Sequence, residues 1–78
     1  MPTVMHLGPY RLFFYANDRA EPVHVHVERE ASNAKFWLGP VRLARNNGFR
    51  PIELGRIERL VSDHEDGIAE AWHDYFGD

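Results

Sequence analysis

From residue 22 the chain reads Pro-Val-His-Val-His-Val-Glu, a strict alternation of apolar and polar positions. A period of two marks a β-strand with one face turned toward a core. Val23, Val25 and Val27 then line one face, and His24, His26 and Glu28 the other. Three more strand-like runs flank this one. Tyr10–Tyr15 is dense in β-formers, Ala34–Leu38 follows the polar connection Glu30–Asn33, and Val41–Arg45 alternates again. The last competes with a short helix opening at Pro40, and its alternation favours the strand. Val4–Leu7 is apolar enough for a further short strand. Gly8-Pro9, Asn17-Asp18, Gly39-Pro40 and Asn46-Asn47-Gly48 separate these runs as turns.

From Pro51 the period changes. Leu54, Ile57, Leu60, Val61, His64, Ile68, Ala71, Trp72 and Tyr75 fall on one stripe at about 100° per residue. The stripe keeps its phase, which predicts one long helix with room for a bend at Asp66-Gly67 and a cap at Gly77. The expected fold is α+β: an antiparallel meander of three to four strands, with one C-terminal helix packed on one face. Residues 1–78 make a single domain. Parity turns Leu12, Phe14, the three valines, Phe36 and Leu38 toward the helix. The opposite face then carries Arg11, Phe13, Tyr15, His24, His26, Glu28, Lys35 and Trp37. Three aromatics and two histidines among three charges are more than solvation requires. They point to a binding surface, unless loops or residues 1–8 fold over it.

Composition narrows the picture. With 78 residues and no cysteine, the core must come from ten aromatics and the aliphatics, or from a partner chain; a disulfide or thiolate metal site is excluded. Residues 1–50 carry seven Lys/Arg against four Asp/Glu, and residues 51–78 two against eight. The acidic total disfavours a dedicated nucleic-acid binder and keeps nucleic acid a lesser partner class. The acidic helix surface (Asp63, Glu65, Asp66, Glu70, Asp74, Asp78) reads as solvation, with a basic partner as the alternative. Met1–Val4 lacks a basic region followed by an apolar run, and no stretch nears the roughly 18–20 apolar residues that span a bilayer. A cytoplasmic protein without membrane association is expected.

The candidate chemistry centres on two imidazoles. His24 and His26 project side by side and can present themselves to one metal ion, with Glu28 continuing the row. A further ligand is missing on paper, because His64 sits in the helix's apolar stripe and His73 points away from it. No cofactor is therefore expected. The same pair can act as general acid and base. Lys35 and Arg11 would stabilise a phosphorane and Tyr15 and Trp37 would stack bases, which sketches a metal-free ribonuclease site. Arg42 and Arg45, three apart on a strand, should face opposite ways. No glycine-rich phosphate loop or nucleophile elbow is present.

Tyr10–Tyr15, Asn17-Asp18, Pro22–Val27, Ala34–Val41, Leu54 with Ile57–Val61, and Glu70–His73 with Tyr75-Phe76 together resemble the small bacterial domain of unknown function family numbered 4160. The Pro-x-His-x-His strand followed by Lys-Phe-Trp-Leu is the most specific part. Val23 departs from the family pattern, where a second proline is common. Gly67 stands where relatives carry a better helix former. The resemblance implies a neighbouring-gene partner similar to a second domain of unknown function, numbered 2442, the two forming a toxin–antitoxin-like module. The leading expectation is thus a protein-interaction domain that docks through the histidine face, onto that partner or onto a second copy. The ribonuclease-type toxin and the metal-binding module are its alternatives.

Overall fold

A computed structural model describes residues 3–77; Asp78, counted above with the acidic helix surface, lies outside them. Five strands come first: β1 (Thr3–Leu7), β2 (Tyr10–Phe13), β3 (His24–Arg29), β4 (Ser32–Trp37) and β5 (Arg42–Asn47). A short 3-10 helix, Ala16–Ala20, interrupts the β2–β3 connection. Two helices, α1 (Pro51–Asp63) and α2 (Glu65–Phe76), complete the chain. The strands form one antiparallel sheet in sequence order. The α+β meander is as expected; the strand count is five rather than three or four, and the helical segment is two helices rather than one.

Each departure has a local cause. β1 adds itself because Met5 and Leu7 pair with Leu12 and Tyr10 and bring their apolar side chains onto the core. The helix breaks at His64, not at Asp66-Gly67. There the backbone N–H is shared between the Leu60 and Val61 carbonyls, both 3.2 Å away. The ring Nδ1–H of His64 also donates to the Leu60 carbonyl, at 2.9 Å. These bonds satisfy the last carbonyls of α1 and close it. His64 therefore lies exposed instead of in the apolar stripe. The break resets the helical phase: α2 buries Ile68, Trp72 and Phe76, four residues apart, and leaves Tyr75 exposed.

The side of the sheet facing the helices follows the predicted parity. Leu12, Phe14, Val25, Val27, Ala34 and Phe36 meet Ile57, Val61, Ile68, Trp72 and Phe76 in one core. Phe14 alone packs three rings of α2, those of Trp72, Tyr75 and Phe76, at 5.2, 6.3 and 5.9 Å. A fully buried valine contributes about 1.5–3 kcal/mol relative to exposure, and Val25 and Val27 are both at 0%.

Two polar devices fix the helices to the sheet. Glu53, in the first turn of α1, takes a forked pair of bonds from Arg29 at 2.7 and 2.8 Å and a third from the Tyr10 hydroxyl at 2.6 Å. Ahead of α1, the Asn46 side chain accepts from the Phe49 N–H and donates to its carbonyl, which seats the Phe49 ring in the core. Gly48 lies between them with φ +103°, where a Cβ would come 2.8 Å from the Ser32 hydroxyl. Only glycine fits that corner.

Candidate functional site

The helix-free face of the sheet is set by pairing. Arg11 stands opposite Glu28, Phe13 opposite His26, His26 opposite Lys35, and His24 opposite Trp37. Seven of the eight residues predicted for a common face are thus joined by direct cross-strand pairs along β3. Tyr15 joins them through its ring, 4.7 Å from His26.

The patch is not open, however. Ala16–Ala20 folds back over it and lowers Asp18 onto the two imidazoles. His24 is 0% exposed and His26 6%, and Phe13 and Lys35 are buried as well. What remains at the surface is a rim of Tyr15, Arg11, Glu28 and Trp37. The expectation of an exposed histidine surface is corrected accordingly: a loop covers it, and periodicity does not describe loops.

Asp18 organises this cluster. Its Oδ2 accepts the Tyr15 backbone N–H at 2.8 Å and a bond from His26 Nε2 at 3.0 Å. Its Oδ1 faces His24 Nε2 at 3.2 Å. His24 Nδ1 lies 2.8 Å from the Pro22 carbonyl, which can only accept, so Nδ1 carries the proton. Among the described residues, His24 Nε2 is the one fully enclosed side-chain polar atom with no hydrogen-bond partner. The donor atoms of Asp18, His24 and His26 all lie within 4.8 Å of one another.

Aromatic rings wall the cluster. His26 stacks on Phe13 at 5.3 Å, and His24 meets Trp37 at 5.5 Å. His24 is the first residue of β3, so its ring stands at the end of the sheet, where Trp72 of α2 comes within 5.1 Å. Burial pushes the His26 pKa down, with the Asp18 charge opposing it only in part. Burial pushes Asp18 upward, but the Tyr15 N–H and the two imidazoles outweigh it and hold the carboxyl below its usual range.

The other candidates are tied elsewhere. Lys35 Nζ donates to Glu21 and sits 4.5 Å over the Trp37 ring. Arg11 bonds Glu28 at 3.0 Å and Thr3 at 2.9 Å, with its guanidinium 4.4 Å over Phe13. Glu28 is thereby held by Arg11 and stays out of the histidine cluster. The four residues sketched as an acid–base site are not brought around an open cleft. Asp18 is the member that sequence reasoning read only as a turn residue. Its signal was its place in a seven-residue loop returning to a His-x-His strand.

At the edge of this face, β5 is exposed at every residue. Arg45 stands opposite Lys35, Arg42 opposite Trp37 and Leu43 opposite Phe36, so Ala44 is an extra residue without a partner. That bulge places Arg42 and Arg45 on the same face, contrary to the expectation from their spacing. Between Glu30 and Glu53 the chain holds Lys35, Arg42, Arg45 and Arg50 and no acidic residue. The β4–β5 hairpin is therefore a basic ribbon. Among the described residues no helix is long and apolar enough to cross a membrane.

No curated protein and no solved structure matches this chain. A family model does, the domain of unknown function DUF4160, over residues 10–73. The match runs from the start of β2 into the last turns of α2, and so takes in the His-x-His strand, Asp18 and the basic edge. The chain belongs to the DUF4160 family.

Proposed function

We propose that this protein is an interaction domain that receives a short acidic segment of a partner along the open edge of β5. The observation that carries this reading is the fully exposed outer strand with Arg42 and Arg45 on one face and no carboxylate in its hairpin. An outer strand offers unpaired N–H and C=O groups to an added strand. Its charges choose the addition: a second copy of β5 brings arginine against arginine, whereas an acidic strand is attracted. The partner is the one implied by the family resemblance, a small protein encoded alongside, with the two forming a toxin–antitoxin-like module.

The acid–base reading has less support. Both imidazoles are enclosed, and the lysine and arginine meant to assist them are engaged by Glu21 and Glu28.

Co-expression with the neighbouring gene product, followed by size-exclusion chromatography at low and high salt, tests the proposal. A one-to-one complex is expected that weakens as salt rises and is lost when Arg42 and Arg45 are both changed to Glu. A complex indifferent to those changes, or no complex at all, would overturn it.

A further inference from the structure

We infer that Asp18, His24 and His26 form a binding site for a divalent transition-metal ion. His24 Nε2, His26 Nε2 and the Asp18 carboxylate are its ligands. The inference starts from the unpartnered nitrogen. With its Nδ1 committed to the Pro22 carbonyl, His24 turns Nε2, which has no hydrogen-bond partner, toward Asp18 Oδ1 at 3.2 Å. An unsatisfied buried polar group is rare in native structures. A cation placed between the nitrogen and the carboxylate gives both a partner.

The remaining features fit the same occupant. In a tetrahedral zinc site with bonds of about 2.0–2.2 Å, donor atoms sit roughly 3.3–3.5 Å apart. The separations here are 3.2 Å for His24 Nε2 to Asp18 Oδ1 and 3.0 Å for His26 Nε2 to Asp18 Oδ2, with all donors inside 4.8 Å. The surrounding bonds orient the ligands as metal sites require: His24 donates its other ring proton to a carbonyl, and Asp18 is steadied by the Tyr15 N–H. Two imidazoles and one carboxylate suit zinc and its neighbours better than calcium or magnesium, which prefer all-oxygen sets. The proton now on His26 Nε2 moves to Nδ1 or to solvent when the metal takes its place. Three protein ligands leave one tetrahedral position for water.

The test uses the full chain purified without a histidine tag and stripped with chelator. Isothermal titration with zinc should give one ion per chain. His24→Gln and Asp18→Asn should each weaken binding by about 100-fold or more, the upper end of what losing even an outer-shell partner costs. A His6→Ala/His64→Ala/His73→Ala triple variant, which removes the exposed histidines, should bind as the parent does. Cobalt gives an independent readout on the unaltered protein, so the inference stays testable should either ligand variant fail to fold. Bound cobalt should move the ring resonances of His24 and His26 far more than those of His64 and His73. Three results would each overturn the site: no saturable binding, binding that depends on the exposed histidines, or a His24 ring protonated at both nitrogens in neutral solution and unmoved by either metal.

Discussion

The middle of one sheet is buried on both sides by different means. On the helix side, Val25, Val27 and Phe36 disappear under Ile57, Val61, Ile68 and Trp72, an apolar cluster with the Glu53–Arg29–Tyr10 bonds at its margin. On the other side, His24 and His26 disappear under a five-residue 3-10 turn, and the contact is one carboxylate with a ring of aromatics. The first kind of burial is driven by removing apolar surface from water and tolerates small shifts of position. The second depends on each polar atom finding a partner, and one nitrogen has none. The first side gathers the apolar core, and the second the enclosed titratable groups.

The largest expected effect is on the helix side. Phe36→Ala opens a cavity beneath both helices and should cost about 3–5 kcal/mol. A domain of this size has only about 5–15 kcal/mol in hand, so urea denaturation should find it largely unfolded or close to it. A loss under about 1 kcal/mol in that measurement would mean that the helices do not depend on the sheet.

Asp18→Ala attacks the other side. It removes the acceptor for the Tyr15 N–H and for His26, at an expected cost of about 1–3 kcal/mol. The response should be local: hydrogen exchange should quicken across residues 15–21 while the Val25 and Val27 amides keep their protection relative to global unfolding. Equal acceleration everywhere would erase the distinction between the two faces.

A third difference is in acid. The Arg29 bond, followed by that of Tyr10, holds the Glu53 carboxyl below its usual range. A depressed folded-state pKa contributes stability that is complete above the ordinary glutamate value of about 4.3 and is lost as pH falls below it. Glu53→Gln should therefore lower stability at neutral pH and flatten its decline below pH about 4, as read from thermal unfolding across a pH series. The smallest effect belongs to the edge. Changing Arg42 and Arg45 to Glu should alter the free protein's stability by no more than about 0.5 kcal/mol, even as the proposed partner is lost.

What could be read from the chain divides along the same line. Alternation in Val23–Glu28 placed the valines and imidazoles on opposite faces, and register confirms it. The four strands from Tyr10 onward and the helix-side core were legible for the same reason, since burial on a regular element leaves a period. The cover over His24 left none: its position rests on Asp18 reaching a backbone N–H and an imidazole from an irregular turn. The break at His64 turns on a ring nitrogen finding the Leu60 carbonyl, and the common face of Arg42 and Arg45 on one extra residue at Ala44. Both are single-residue events that a periodic pattern averages away.

The extra residue at Ala44 also limits how far the edge can be copied. A regular strand laid along β5 loses step with it halfway, so an incoming chain finds only a few good bonds on either side of the irregularity. Such an edge can hold one short guest and cannot seed an endless ribbon of identical molecules, which is the hazard that flat outer strands carry. In a protein with an outer strand exposed at every residue, that single misfit residue works as a stop signal against fibril growth.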